Sequence, residues 1–162
     1  MITHPFPPVY NKDSKVLILG SFPSVKSREK MFFYGHPQNR FWKVISSVFE
    51  SDLPETVEEK KQFLLENKIA LWDVLESCEI TGSSDSSIRN VKANDLSMIL
   101  KEANIKKIYL NGKTAEKYFK KYTQEKINMD AVCLPSTSPA NAVWSFERLF
   151  EEWKVIKSIA PN

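Results

Sequence analysis

Val16-Leu17-Ile18-Leu19-Gly20-Ser21-Phe22-Pro23-Ser24 is the stretch whose reading decides the fold. Four consecutive large aliphatic residues do not alternate with polar ones, so the segment predicts a strand buried on both faces, as in a parallel sheet covered by helices. The run stops at a glycine, which permits close backbone approach, and a proline three residues later stiffens the exit turn. No spaced second glycine followed by lysine is present, so this is not a phosphate-cradling P-loop.

Three further runs of the same kind lie downstream: Ile69-Ala70-Leu71-Trp72, residues 105–110 and Ala131-Val132-Cys133-Leu134. Helical periodicity fills the intervals. Residues 39–49 space Phe41, Trp42, Ile45 and Phe49 along one side, and 55–67 place Val57, Phe63 and Leu64 among charges. Asn94-Asp95 can cap a helix carrying Leu96, Ile99 and Leu100, and 113–122 present Ala115, Tyr118, Phe119 and Tyr122. A last helix is expected over 143–159, with Ser138 or Asn141 as its cap. Strands alternating with helices predict an α/β fold, a three-layer α/β/α sandwich around a four-stranded parallel sheet. The 162 residues show no repeat or linker and read as a single domain, 1–162.

In such sheets ligands gather at the carboxyl ends of the strands. That rule selects residues 20–24, Asp73 onward, Asn111-Gly112 and 135–141, all rich in glycine, proline, serine or asparagine. A second stretch stands out before the first helix: Phe32-Phe33-Tyr34-Gly35-His36-Pro37-Gln38-Asn39-Arg40-Phe41-Trp42. Aromatic faces stack on bases, and amides hydrogen-bond base edges or hold a water. Asn39 reads equally as a helix cap. Asp73 can accept a proton from a base N–H or cap a loop, and the serine-rich 82–87 reads as a surface loop or as phosphate donors. In Leu134-Pro135-Ser136-Thr137-Ser138-Pro139-Ala140-Asn141, hydroxyls and amides before a helix suit phosphate, or simply a capping segment.

Composition excludes several classes. Hydrophobic residues make up 42% and charged residues 27%, as in ordinary globular proteins. No apolar run approaches the roughly 20 residues of a membrane span, and the N-terminus lacks a signal-peptide pattern, so a cytoplasmic protein is expected. Cys78 and Cys133 form no C-x-x-C pair and read as buried free thiols; His4 and His36 are isolated. No metal centre and no cofactor are expected. The net charge of +3 is mild, so nucleic-acid contact would rest on local cations such as Lys26, Arg28 and Lys30, or Arg40 and Lys43, each of which also reads as a solvated face. These residues describe a strand-end pocket of aromatic, amide and hydroxyl groups without naming a reaction.

The stretches 20–24, 36–42 and 134–141 together resemble the signature segments of the uracil-DNA glycosylase superfamily, most closely its hypoxanthine-DNA (deoxyinosine) glycosylase branch. Asn111-Gly112-Lys113 is similar to a glycine–lysine after the third strand of mismatch-specific members. The resemblance implies a uracil-DNA glycosylase-like fold and a monofunctional enzyme that hydrolyses the N-glycosidic bond of an extruded, deaminated base, with hypoxanthine favoured. Its partner would be double- or single-stranded DNA carrying that base, and the enzyme would act as a monomer. The superfamily's usual Asp or Asn in the first segment is here Phe22, and the resemblance to the hypoxanthine branch, where that duty is associated with the Asn of a His-Pro-x-Asn stretch, implies that Asn39 holds the attacking water. Tyr34 would stack on the base, with Phe33 or Phe22 as alternates, in a pocket with Ser21, Phe22, Asp73 and Asn111. Ser136, Thr137, Ser138, Pro139, Ala140 and Asn141, with Arg40 and Lys43, would meet the DNA. No histidine stands in 136–141 to meet uracil O2, which disfavours uracil. The alternatives are a uracil or mismatch glycosylase, a non-catalytic damage-binding module, and a hydrolase of free nucleosides.

Overall fold

The computed structural model describes residues 1–158. Strands β2 (Val16–Gly20), β3 (Ile69–Asp73), β6 (Lys107–Asn111) and β7 (Ala131–Leu134) form a four-stranded sheet in the order β3-β2-β6-β7, every pair parallel. Residues 16–19 are fully buried, and their side chains divide by parity. Val16 and Ile18 enter a core with α2 (Phe41–Val48), α3 (Val57–Glu66) and α7 (Phe146–Trp153). Leu17 and Leu19 enter a second core with α4 (Ser97–Glu102) and α5 (Lys113–Tyr122). That division is the three-layer α/β/α sandwich. Each fully buried aliphatic side chain in it contributes about 1.5–3 kcal/mol of transfer free energy.

Register brings the strand ends together. Gly20 lies opposite Asp73, and Asn111 opposite Leu134, so the exits of all four strands open at one edge. Short helices α1 (Val25–Lys30) and α6 (Gln124–Ile127) complete the chain's turns. Among the described residues no helix is long and apolar enough to cross a membrane.

A second, antiparallel sheet was not expected. Its order is β1-β4-β5, from β1 (Ile2–Thr3), β4 (Leu75–Glu79) and β5 (Arg89–Ala93). Leu-Glu-Ser-Cys-Glu and Arg-Asn-Val-Lys-Ala are too polar to read as buried runs, and tertiary pairing overrides their weak propensity. The final helix is also shorter than the sequence suggests. Ser145 caps α7 by accepting from the Arg148 N–H at 3.2 Å, so residues 143–145 belong to the loop and neither Ser138 nor Asn141 is the cap. A 3₁₀ turn, Lys154–Ser158, follows; the expected extension to Ile159 lies outside the described residues. Cys78 is buried, whereas Cys133 is only half-buried.

Candidate active site

At the strand exits lies a cleft of about 140 Å3. It is lined by Ser21, Phe22, Tyr34, Asn39, Asp73, Asn111, Ser136, Thr137, Ser138 and Pro139, all singled out from the sequence, by Ser83 and Asp85 of the serine-rich 82–87 stretch, and by Ile80 beside the unforeseen sheet. Ala140, Asn141, Arg40 and Lys43 lie outside the lining.

The floor is built around Gly20. A Cβ there would fall 2.5 Å from Asp73 Oδ1 and 2.9 Å from the Tyr34 hydroxyl, so only glycine leaves room for both. Asp73 is 3% exposed, and its Oδ2 lies 2.7 Å from His4 Nε2. Tyr34 sits at a φ of 52° after two buried phenylalanines, which turns its ring onto Phe41, with centroids 4.1 Å apart and planes at 24°. One ring face is thereby covered, leaving at most the other for a base. The hydroxyl is buried and makes no hydrogen bond of normal geometry among the described residues. Burial first, and then the charge of Asp73, push its pKa well above the usual tyrosine value, opposed only in part by Asn111, so it remains a protonated donor.

The wall is a directed hydrogen-bond chain. Asn111 Oδ1 accepts from the Thr137 backbone N–H at 3.0 Å, and Asn39 Oδ1 accepts from the Phe41 backbone N–H at 2.9 Å. Backbone N–H groups can only donate, so both amides are oriented without ambiguity. Asn111 Nδ2 therefore donates to Thr137 Oγ1 at 3.0 Å, and Thr137 Oγ1 donates to Asn39 Oδ1 at 2.9 Å. With Oδ1 holding two bonds, Asn39 keeps its Nδ2 donors for the cleft. Its Oδ1 also accepts from the first N–H of α2, but the cap position belongs to Arg40, which makes no side-chain capping bond, so Asn39 closes a turn just before the helix and is not its cap.

Residues 135–144 are tied down from within. Ser136 Oγ accepts from Ser138 N–H, Ser138 Oγ from Ala140 N–H, both at 3.1 Å, and Asn141 Nδ2 donates to the Ser136 carbonyl at 2.9 Å. Each serine keeps its own O–H proton to donate outward. Arg40 donates to the carbonyls of Ser138 at 3.2 Å, Asn141 at 3.0 Å and Trp144, clamping the loop from below. Lys43 is exposed, 4.8 Å above the Phe146 ring. Thr137, expected to face DNA, is instead fully buried, its hydroxyl spent between the two asparagines. Val143, at the far end of the loop, is 81% exposed.

Sequence reasoning missed His4. A lone histidine before a proline carries no spacing signal, and it reaches Asp73 only because β1 pairs with β4. Among the described residues no cluster of three or more side chains is arranged to hold a metal ion.

Residues 7–159 match the family model described as the uracil DNA glycosylase superfamily. A protein of Methanosarcina acetivorans named hypoxanthine DNA glycosylase is 36% identical over 159 residues, covering 96% of this chain and 98% of that protein. One of the same name from Methanosarcina barkeri is 36% identical over 115 residues, 70% of this chain and 73% of that one. A solution NMR structure from Methanosarcina acetivorans, described as a candidate uracil DNA glycosylase, superposes with a TM-score of 0.82 at 33% identity, covering 97% of each chain.

Proposed function

The chain belongs to the uracil DNA glycosylase superfamily and is a DNA glycosylase, and we propose that the base it releases is hypoxanthine, the product of adenine deamination in DNA. The observation that carries this reading is the Asn111–Thr137–Asn39 chain, which fixes one amide donor pair at the mouth of a strand-end cleft holding a carboxylate acceptor.

Glycosidic cleavage passes through an oxocarbenium-like state in which the bond to the base breaks early and the nucleophile contributes little push. Catalysis is then a matter of positioning and of stabilising the leaving base. Asn39 Nδ2 donates to a water oxygen, which holds the water without deprotonating it. Asp73 meets the base edge, and the ring face of Tyr34 not covered by Phe41 stacks on the base. The lining residues of the cleft include no lysine, which supports simple hydrolysis rather than a Schiff-base route with strand cleavage.

The nucleotide reaches the cleft by extrusion from the helix, at a cost of a few kcal/mol that is least for a damaged pair. The 135–144 loop meets the DNA: Ser136 and Ser138 donate to phosphates, and exposed Val143 fills the vacated stack. Arg40 acts by holding the loop, Lys43 by its exposed charge. The enzyme acts as a monomer in the cytoplasm, in base excision repair.

The test is base release from duplexes carrying single hypoxanthine, uracil or xanthine lesions, followed by alkali to cleave abasic sites. Hypoxanthine should be released fastest. Faster uracil release would favour the uracil reading, which the name of the similar solution structure also raises.

A further inference from the structure

We propose that His4 is a positioning residue for base selection: it fixes Asp73 so that Oδ1 accepts the ring N–H which deamination creates beside a carbonyl. The proposal rests on the glycosylase reading above and specifies what the floor of that site recognises.

Asp73 is held on every side but one. Its main chain is tied at the carbonyl by Asn94 Nδ2 at 2.9 Å, and the next residue, Val74, donates its N–H to Gly20 O at 2.8 Å. Oδ2 is taken by His4 Nε2 at 2.7 Å. Oδ1 has no protein partner among the described residues and sits over Gly20 at the cleft floor, where any side chain would strike it. His4 does not line the cleft, so it reaches a substrate only through Asp73.

The imidazole is itself placed with care. Its backbone N–H donates to Glu76 O at 2.7 Å, continuing the β1–β4 pairing. Phe6, Phe22 and Phe33 surround the ring at 4.5, 6.0 and 5.9 Å. A carboxylate oxygen accepts, so Nε2 carries the proton of the bond to Oδ2, while Nδ1 is buried without a hydrogen-bond partner among the described residues. Packing alone would be served better by an apolar ring, since an unpartnered buried nitrogen is destabilising. What the histidine supplies is the bond to Oδ2.

A carboxylate so held offers lone pairs and no proton at Oδ1. Hypoxanthine N1–H, xanthine N1–H and uracil N3–H are donors that match it. Adenine N1 and cytosine N3 are lone pairs, and each would leave both partners unsatisfied in a buried site, the arrangement that rejects a wrong ligand most strongly. Guanine carries the same N–H, so its exclusion belongs to the 2-amino group and not to Asp73.

The experiment measures dissociation constants for duplexes bearing hypoxanthine or unsubstituted purine on a cleavage-resistant 2′-fluoro sugar. Purine has a lone pair at N1 and no O6. The parent should prefer hypoxanthine; His4→Ala should lower that preference about tenfold, the loss of one fixed bond to a charged group, while leaving purine binding unchanged. His4→Gln, whose amide can donate to Oδ2, should restore most of it. In His4→Ala/Asp73→Ala the preference should be no lower than in Asp73→Ala alone. Equal losses on both bases, no rescue by glutamine, or additive effects in the double variant would overturn the proposal. Failure of the parent to release any deaminated base from ordinary duplex would instead sink the glycosylase reading, and the binding ratio would still report on His4.

Discussion

Thr137 donates its hydroxyl proton to Asn39 Oδ1 across 2.9 Å, and the direction of that bond is set by two backbone amides, the Phe41 N–H on the same Oδ1 and the Thr137 N–H that orients Asn111. A reversed Asn39 would turn its NH2 against the Phe41 N–H, donor against donor. The orientation of the amide in the cleft is thus a property of the fold.

Asn39→Ala should lower hypoxanthine release at least ~100-fold, the scale of losing a positioned catalytic group, with duplex affinity largely kept. Single-turnover rates and melting temperature, measured together, separate this from a loss of the turn that Asn39 closes before α2. Normal turnover per folded molecule would remove Asn39 from the reaction.

Thr137→Val keeps the shape of the side chain and removes the hydroxyl. Asn39 Oδ1 loses one bond and Asn111 Nδ2 loses its acceptor, so stability should fall by about 1–3 kcal/mol, the penalty of leaving such a group unpaired. The rate per folded molecule should fall as well, because Asn39 is freed to turn. Thr137→Ser should recover both. A serine variant as slow as the valine one would show that the methyl, not the hydroxyl, is what the site requires.

Tyr34 separates ring from hydroxyl. Tyr34→Ala removes the stack on Phe41 and should destabilise by roughly 3–5 kcal/mol, the range for truncating a large core aromatic. Tyr34→Phe removes a buried hydroxyl that makes no hydrogen bond of normal geometry among the described residues, so its melting temperature should match or exceed the parent's. If stacking on the base is all that Tyr34 provides, the Phe variant should also keep its rate. A stable but slow Tyr34→Phe would mean that the hydroxyl meets the base.

The central sheet was legible because β2, β3 and β6 are largely buried on both faces and so cannot hide in an alternating pattern; β7, expected to be buried likewise, is an edge strand whose Val132 is exposed. The strand-exit rule selected Ser21, Asp73, Asn111 and Ser136, which line one cleft. Pairing partners were not legible. His4 and Asp73 are 69 residues apart and meet through a sheet whose strands, Leu75–Glu79 and Arg89–Ala93, carry too little apolar character to announce themselves. Thr137 was misplaced for a related reason. Its neighbours Ser136 and Ser138 are half-buried at the cleft, and composition cannot tell which of three successive hydroxyls turns fully in.

The 135–144 loop gives the sharpest test of how the protein holds DNA, because its donors differ in charge. Ser136 and Ser138 are neutral, and a neutral donor to phosphate releases no counterion. Replacing both by Ala should therefore raise the dissociation constant for lesion duplex while leaving its logarithmic salt dependence nearly unchanged. The loop's own backbone bonds to the two hydroxyls are lost as well, so the melting temperature must be followed alongside. Lys43→Ala should do the reverse and flatten the salt slope by about one phosphate contact. Arg40→Ala should behave differently from both: its guanidinium is engaged by three loop carbonyls, so its loss should loosen the loop and reduce affinity and rate together. The distinction between Arg40 and Lys43 is the informative one. A flattened slope with unchanged loop protection in hydrogen exchange, after Arg40→Ala, would show Arg40 to be a phosphate ligand and its carbonyl bonds to be incidental.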